Sequence, residues 1–208
     1  HDMRGPLTTL SLLVDLMQQG DVDIDEELIG DMSLSVERLR ELATDLTEFS
    51  RCDDEAEVSS VGRADPVRCV RTALRLLGPD YAQRCELALD LSGVSHVGMS
   101  DRRLVQVLLN LLINAKKFAE HFRISAVINE DSLVMTVEDD GPGVEEGLQT
   151  RVFEAFVTSR EGGEGTGLGL YLCRRFLAEC GGRIALVHDG VLAGACFRFW
   201  IPLVRRRD

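Results

Sequence analysis

Asn110, Asn114 and Lys117 stand four and three residues apart in an otherwise apolar stretch, so a helix there brings all three to one face. Asparagine is a poor residue for a helix interior, because its side chain competes for backbone hydrogen bonds. Two of them in line with a lysine therefore suggest a polar site that offsets the cost. An amide oxygen can ligate a hard cation and an ammonium can neutralise phosphate. The same spacing also fits an ordinary solvated face. Leu104, Leu108, Leu111, Ala115 and Phe118 form the expected apolar stripe opposite. A second group, Asp139-Asp140-Gly141-Pro142-Gly143, follows an alternating run. Gly141 and Gly143 let the backbone approach a flat ligand, and Asp139 just before them can accept a hydrogen bond from a ligand amino group. Asp-Gly-Pro-Gly is also good turn chemistry in its own right. The third group is glycine-rich, with Gly163, Gly165, Gly167 and Gly169 around Thr166 and Leu168, just before a predicted helix. Free backbone N–H groups at a helix N-terminus make a phosphate cradle. The spacing is wrong for a dinucleotide fingerprint, and Arg151 to Phe156 does not read as the strand that must precede one.

These groups need elements to position them. Asp65-Pro66 opens a helix with Asp as N-cap and Pro at the first position, running to Gly78. A short strand is expected over 86–91, a long helix over 101–119, strands at 122–128 and 133–137, a helix over 169–180, and strands at 183–188 and 196–202. Strands and helices mix without strict alternation, which predicts an α+β fold, an α/β sandwich with a mixed sheet. Upstream, Met3, Leu7, Leu10, Val14 and Met17 keep heptad steps. Leu28, Met32, Leu39, Leu42, Leu46 and Phe49 do the same, with Ser35 in the one polar slot. Gly20 ends the first run and Asp23 or Asp25 can cap the second. A lone helical hairpin of this length buries too little to be stable, and pairing into a dimeric four-helix bundle is the simplest remedy. The expected division is 1–51 hairpin, 52–64 linker and 65–208 α+β domain. In the heptad frame His1 falls off the seam and points outward, with Arg4 on its face. A neutral imidazole is available near pH 7, and Pro6 should bend the helix just beyond.

Composition narrows the rest. The chain has 208 residues, 45% of them hydrophobic, and a net charge of −12. The acids concentrate between Asp21 and Glu57, which disfavours nucleic acid and anionic membranes. No apolar run approaches the roughly 18–20 residues that cross a bilayer. The expectation is a cytoplasmic segment without membrane contact of its own, with room for an anchor or sensor upstream. Six cysteines without a CxxC pair read as reduced, mostly buried thiols, with Cys173 and Cys180 packing on one helix.

Taken together, the asparagine helix, the Asp-Gly-Pro-Gly turn, Phe153-Glu154-Ala155-Phe156 and Gly165-Thr166-Gly167-Leu168-Gly169-Leu170 resemble, in order and spacing, the ATP-binding domain of sensor histidine kinases. Gly181-Gly182 resembles the small glycine pair beyond. His1-Asp2-Met3-Arg4-Gly5-Pro6-Leu7 resembles that family's phosphoacceptor box. The resemblance implies ATP and Mg²⁺ as cofactors, with Asn114 on the metal and Asn110 near metal and phosphates. Lys117 would meet phosphate, Asp139 the adenine amino group, and Gly141 and Gly143 its pocket. Phe156, Gly165, Thr166, Gly167, Leu168 and Gly169 would line the nucleotide, Phe153 to Gly165 would form a mobile lid, and Arg160 within it could touch phosphate. His1 would accept the phosphoryl group with Asp2 as base or orienting carboxylate. A homodimer and the receiver domain of a response regulator are the implied partners. Gly5 stands where the family often carries Thr or Asn, which implies weak phosphatase activity. An ATP-dependent conformational switch of the related gyrase, mismatch-repair, chaperone and anti-sigma type, and a scaffold that binds no nucleotide, are the competing readings. Lys116 has no account at this level, and His96, His121 and His188 are assigned no role.

Overall fold

A computed structural model of the chain describes residues 62–92, 94, 96–158 and 166–204, together with Ile29, Gly30, Ser33, Ser35, Val36, Leu39 and Ala43. Those seven are helical. Ser35 and Leu39, on the expected heptad seam, are buried and half-buried, whereas the other five are exposed. The expectations for His1, Asp2, the first helix of the hairpin, most of the linker, Arg160 and Gly165 fall outside the described residues.

The domain opens with helix α1 (Pro66–Leu77), capped as its sequence requires: Arg68 N donates to Asp65 Oδ1 at 3.1 Å. Gly78, at φ 104°, ends it and leads into a short helix α2 (Pro79–Ala82). Strand β1 (Cys85–Asp90) follows, then helix α3 (Asp101–Phe118), with Ser100 as N-cap. Strands β2 (Phe122–Asn129) and β3 (Ser132–Asp139) make a hairpin; helix α4 (Gly169–Glu179) and strands β4 (Arg183–Leu186) and β5 (Cys196–Pro202) complete the domain. The sheet order is β1-β2-β3-β5-β4, with β1 parallel to β2 and every other pairing antiparallel. It is the expected mixed sheet.

One face of that sheet is the core. Phe122, Ile124 and Ala126 on β2, Leu133, Met135 and Val137 on β3, and Phe197, Phe199 and Ile201 on β5 alternate inward. They meet Leu104, Leu108 and Leu111 of α3, Val70 and Ala73 of α1, and Leu172 and Phe176 of α4. Truncating such a fully buried leucine costs about 2–5 kcal/mol. Helix α3 is covered on more sides than a two-faced helix: Val107, Leu112 and Asn110 are buried along with the expected stripe.

Phe118 corrects the sequence reading. It was expected on the apolar stripe, but it is 43% exposed. It lies in the last turn of α3, and the chain turns extended at Ala119, so no packed layer continues above its ring. Lys116 also finds its explanation here. Its ammonium sits 4.1 Å from the ring centroid of Tyr81 on α2, a cation–π contact that pins the short helix to α3.

The segment before α1 joins the domain too. Ala64 is fully buried and pairs with Val97, which in turn pairs with Leu203. Asp101 ties the start of α3 to the start of α1, accepting from Asp65 N and from Cys69 Sγ, both at 3.2 Å, and pairing with Arg68. Burial works against its charge, yet the thiol, the backbone N–H and the guanidinium together hold its carboxyl below the usual range. The described cysteines are free thiols, as expected. Burial pushes Cys69 and Cys85 up to about 12 and Cys196 to about 11.

Candidate functional site

The site lies where the end of β3, the polar edge of α3 and the start of α4 converge. Asp139 is the last residue of β3 and is 7% exposed. Its Oδ1 accepts two backbone N–H groups, Gly141 and Ala195, each at 3.0 Å. Among the described residues no bond engages Oδ2. Burial raises its pKa, while the two N–H bonds pull the other way and the neighbouring Asp140 charge adds to the rise. A buried carboxylate held by one oxygen, with the other unspent, is an acceptor waiting for a donor.

Two glycines clear the space around it. A Cβ on Gly141 would lie 2.8 Å from Phe118 O and 3.0 Å from Asp139 Oδ1. On Gly194 it would lie 2.3 Å from Asp139 Oδ1 and 2.5 Å from Gly141 N. Neither position tolerates a side chain without displacing the carboxylate. Gly143 has φ 77°, the left-handed region that favours glycine, and turns the chain away beyond. Asp140 serves the opposite side of this turn. Its Oδ1 accepts from Glu120 N and His121 N and its Oδ2 pairs with His121 Nδ1, all at 2.9 Å. These bonds, the His121 backbone N–H first, hold its carboxyl below the usual range. His121, which the sequence left without a role, thus pairs with Asp140 and closes the α3–β2 turn.

The helix groups separate by depth. Asn110 is buried and its carboxamide is spent on the protein: Nδ2 donates to Gly169 O at 3.0 Å, and Oδ1 accepts from Gln106 Nε2 at 3.1 Å. It therefore ties α3 to the first residue of α4. Asn114, a turn later, is half-buried, and Lys117 is exposed. The stagger runs from core to solvent along one face, as the four-and-three spacing requires.

The glycine loop meets the Phe153–Phe156 segment backbone to backbone. Phe156 N donates to Gly167 O at 3.0 Å, and a Cβ on Gly167 would lie 2.7 Å from Phe156 Cα. Both residues have positive φ, 64° for Phe156 and 65° for Gly167. The left-handed turn at Phe156 carries its ring outward, 57% exposed, while Phe153 packs edge-on against Phe197 at 6.1 Å. Thr166 is buried, and its Oγ1 accepts from Leu168 N at 3.1 Å, shaping the turn into α4. The Leu168 side chain lies in the core, so any part it takes in a ligand site belongs to its backbone.

Sequence reasoning missed four contributors. Gln106 carried no signal beyond helical spacing. Gly194 and Ala195 belong to the β4–β5 connection, some 55 residues from Asp139, whose backbone carbonyl and carboxylate they respectively bond, and no local motif marks them. Glu138 lies just past the strand expected over 133–137 and carried no signal; in the structure the strand continues and puts it on the sheet's outer face. There it is 2% exposed, accepting from Val191 N and Leu192 N and pairing with Arg123 at 3.2 Å.

An α+β sandwich with a buried carboxylate in a glycine-cleared turn, an asparagine helix and a glycine loop opening a helix is the architecture of a nucleotide-binding ATPase fold. The family model described as "Histidine kinase-, DNA gyrase B-, and HSP90-like ATPase" matches residues 99–205, and the chain belongs to that family. Within it, the similarity is to histidine kinase catalytic cores. The sensor histidine kinase MtrB of Mycobacterium bovis is 34% identical over 99% of this chain, which spans 38% of the length of that relative. Full-length ShkA, solved in complex with AMPPNP, is 26% identical with TM-score 0.68, over 97% of this chain and 43% of that one. ThkA, solved in complex with the response regulator protein TrrA, shares the fold with TM-score 0.75 at 21% identity, over 100% of this chain and 60% of that one. Among the described residues no helix is long and apolar enough to cross a membrane, and no group of His, Cys, Asp and Glu side chains forms a metal cluster.

Proposed function

We propose that the chain binds ATP with Mg²⁺ and transfers the γ-phosphoryl group to His1, acting as the catalytic core of a two-component sensor histidine kinase. The observation that carries the nucleotide reading is Asp139: a buried carboxylate with one oxygen fixed by two N–H groups and the other unspent, beside the cradle of Gly141 and Gly194. Adenine is flat and carries an amino donor, which suits both features.

The polyphosphate would extend from there toward α3 and α4. Backbone N–H groups of Gly167 and Gly169, with Gly165 before them, would offer donors at a helix start, in a turn shaped by the Leu168 N to Thr166 Oγ1 bond. Lys117 supplies positive charge. The metal fits the donor set: an asparagine oxygen is a hard neutral ligand, and Mg²⁺ usually takes one or two protein ligands and completes its shell from phosphates and water. Asn114, half-buried and a turn nearer solvent than Asn110, would be that ligand, and the bound cation would offset phosphate charge. Asn110 would act nearby by holding Gly169 in place. Phe156, exposed on its left-handed turn, would cover the nucleotide from the lid side.

In the reaction an imidazole nitrogen of His1 displaces ADP from the γ-phosphorus, forming a P–N bond as the P–O bond breaks. Asp2 orients the ring and takes its proton. Positioning and charge neutralisation supply most of the acceleration. The phosphoryl group then passes to an aspartate of a response-regulator receiver domain. The hairpin would pair two copies into a homodimer and form the docking surface, in the cytoplasm. Gly5, lacking a side chain to hold a water, would leave little phosphatase activity.

Isothermal titration with ATP, with and without Mg²⁺, tests the first half. Wild-type chain should bind, Mg²⁺ should tighten binding, and Asn114→Ala should abolish the Mg²⁺ increment while keeping metal-free binding. An increment that survives in Asn114→Ala would move the metal elsewhere, and no ATP binding at all would leave the scaffold reading.

A further inference from the structure

The connection between β4 and β5 is gripped by adjacent residues of one strand. Glu138 faces the outer side of the sheet and is nonetheless 2% exposed. Its Oε2 accepts from Val191 N and Leu192 N, and its Oε1 pairs with Arg123. Three residues further along the same connection, Gly194 N donates to Asp139 O at 2.9 Å and Ala195 N to Asp139 Oδ1 at 3.0 Å. Asp139 N donates back to Ala195 O at 3.0 Å. The loop is thus a strap, buckled at its tip by Glu138 and at its base against Asp139. Asp189, where the strap begins, is held as well, in a two-bond pair with Arg198 at 2.9 Å for each bond.

Geometry gives this strap a consequence. Among the described residues Ala195 N is one of two donors to Asp139 Oδ1, and that bond fixes the rotation of the carboxylate and so the direction of Oδ2. We propose that Glu138 is a positioning residue for base selection: by holding the tip of the 189–195 strap it keeps the Ala195 amide on Asp139 and aims the unspent oxygen at the amino group of the base. Glu138 touches no ligand itself. The inference rests on the reading of Asp139 as the adenine carboxylate.

Two nucleotides separate positioning from plain structural support: ATP, and purine riboside 5′-triphosphate, which lacks the 6-amino group. A hydrogen bond to a charged acceptor in a buried site makes wild-type chain prefer ATP by roughly ten- to a hundredfold. Glu138→Ala should cut that preference to about threefold or less by weakening ATP while leaving the analogue's affinity nearly unchanged. Asp139→Ala should abolish the preference, and the double variant should fall no lower. Glu138→Gln keeps an acceptor oxygen for the two strap amides and should retain most of the preference. Gly190→Ala offers a second route that leaves Glu138 in place. Its Cβ would come within 2.7 Å of Glu138 Oε2, so the preference should drop there too.

An equal loss for both nucleotides in Glu138→Ala and Gly190→Ala would reduce Glu138 to a structural residue and overturn the proposal. An unchanged preference in both variants would overturn it as well. Absence of any preference in wild-type chain would instead sink the assignment of Asp139 to the base, and the proposal with it.

Discussion

The two ends of the candidate site are built by different means. At the Asp139 end every group is fixed by backbone: a strand terminus, two amides on one carboxylate oxygen, and two glycines whose missing side chains define the space. At the α3–α4 end the groups grade from the buried, fully bonded Asn110 to the half-buried Asn114 and the exposed Lys117 and Phe156. On the proposed reading the first end would select by shape and by a single acceptor, both set before any ligand arrives. The second offers charge and donors at the surface, where a polyphosphate and a cation can be drawn in with their water. A rigid acceptor pocket and a graded, charged surface are what the two halves of the proposed nucleotide site would need.

Substitutions can break that contrast. The largest effect is expected at Asp139. Asp139→Asn keeps an oxygen for Gly141 N and Ala195 N but turns an amide NH₂ toward the ligand amino group, so ATP affinity should fall roughly a hundredfold. The fold should not suffer. Because burial raises the Asp139 pKa, the native state holds that proton more tightly than the unfolded chain. The carboxylate's contribution to stability therefore declines as pH rises from the ordinary aspartate range through the raised value. At neutral pH Asp139→Asn should accordingly melt no lower than wild type, and thermal melts across pH should lose that slope. ATP binding by wild type should weaken as pH falls through the same raised value.

Gly167→Ala comes next. It places a methyl 2.7 Å from the Phe156 backbone at φ 65°, and both the overlap and the strain are local to the glycine loop. ATP affinity should fall tenfold or more, with hydrogen exchange of the β3 and β5 amides unchanged. Asn110→Ala cuts the tie to Gly169 and takes the acceptor from Gln106 Nε2, a loss of about 1–2 kcal/mol in stability with a several-fold loss in ATP affinity. The smallest effect belongs to Lys116→Ala. It removes a contact with Tyr81, about 0.5–1 kcal/mol at an exposed site, and should leave nucleotide affinity untouched, whereas Lys117→Ala should weaken it. If the two lysines behaved alike, the division between a structural and a phosphate-facing lysine would collapse.

Much of this architecture is legible in the sequence. Asp65-Pro66 and Ser100 mark their helix starts by capping chemistry. The period-two alternation of β2, β3 and β5 names the residues that face the core. The mixed sheet followed from the order of elements. The four-residue α2 was not legible, since one turn shows no period and its only signal is Pro79 after Gly78. Phe118 was misread because periodicity carries no information about where a helix runs out of neighbours. Within the site, Asp139, Gly141 and Gly167 stood out because strand end, turn and loop each demand those residue types locally. Gln106, Glu138, Gly194 and Ala195 did not, because their roles exist only once residues far apart in sequence, or on opposite faces of a strand, have been folded together.

The most direct test is transfer itself. The chain and a His1→Gln variant are incubated with γ-labelled ATP and Mg²⁺, and the protein-bound label is then challenged with acid. Label that is acid-labile in wild type and missing from the variant is the predicted result. Acid-stable label, or label that persists undiminished in His1→Gln, would contradict the account.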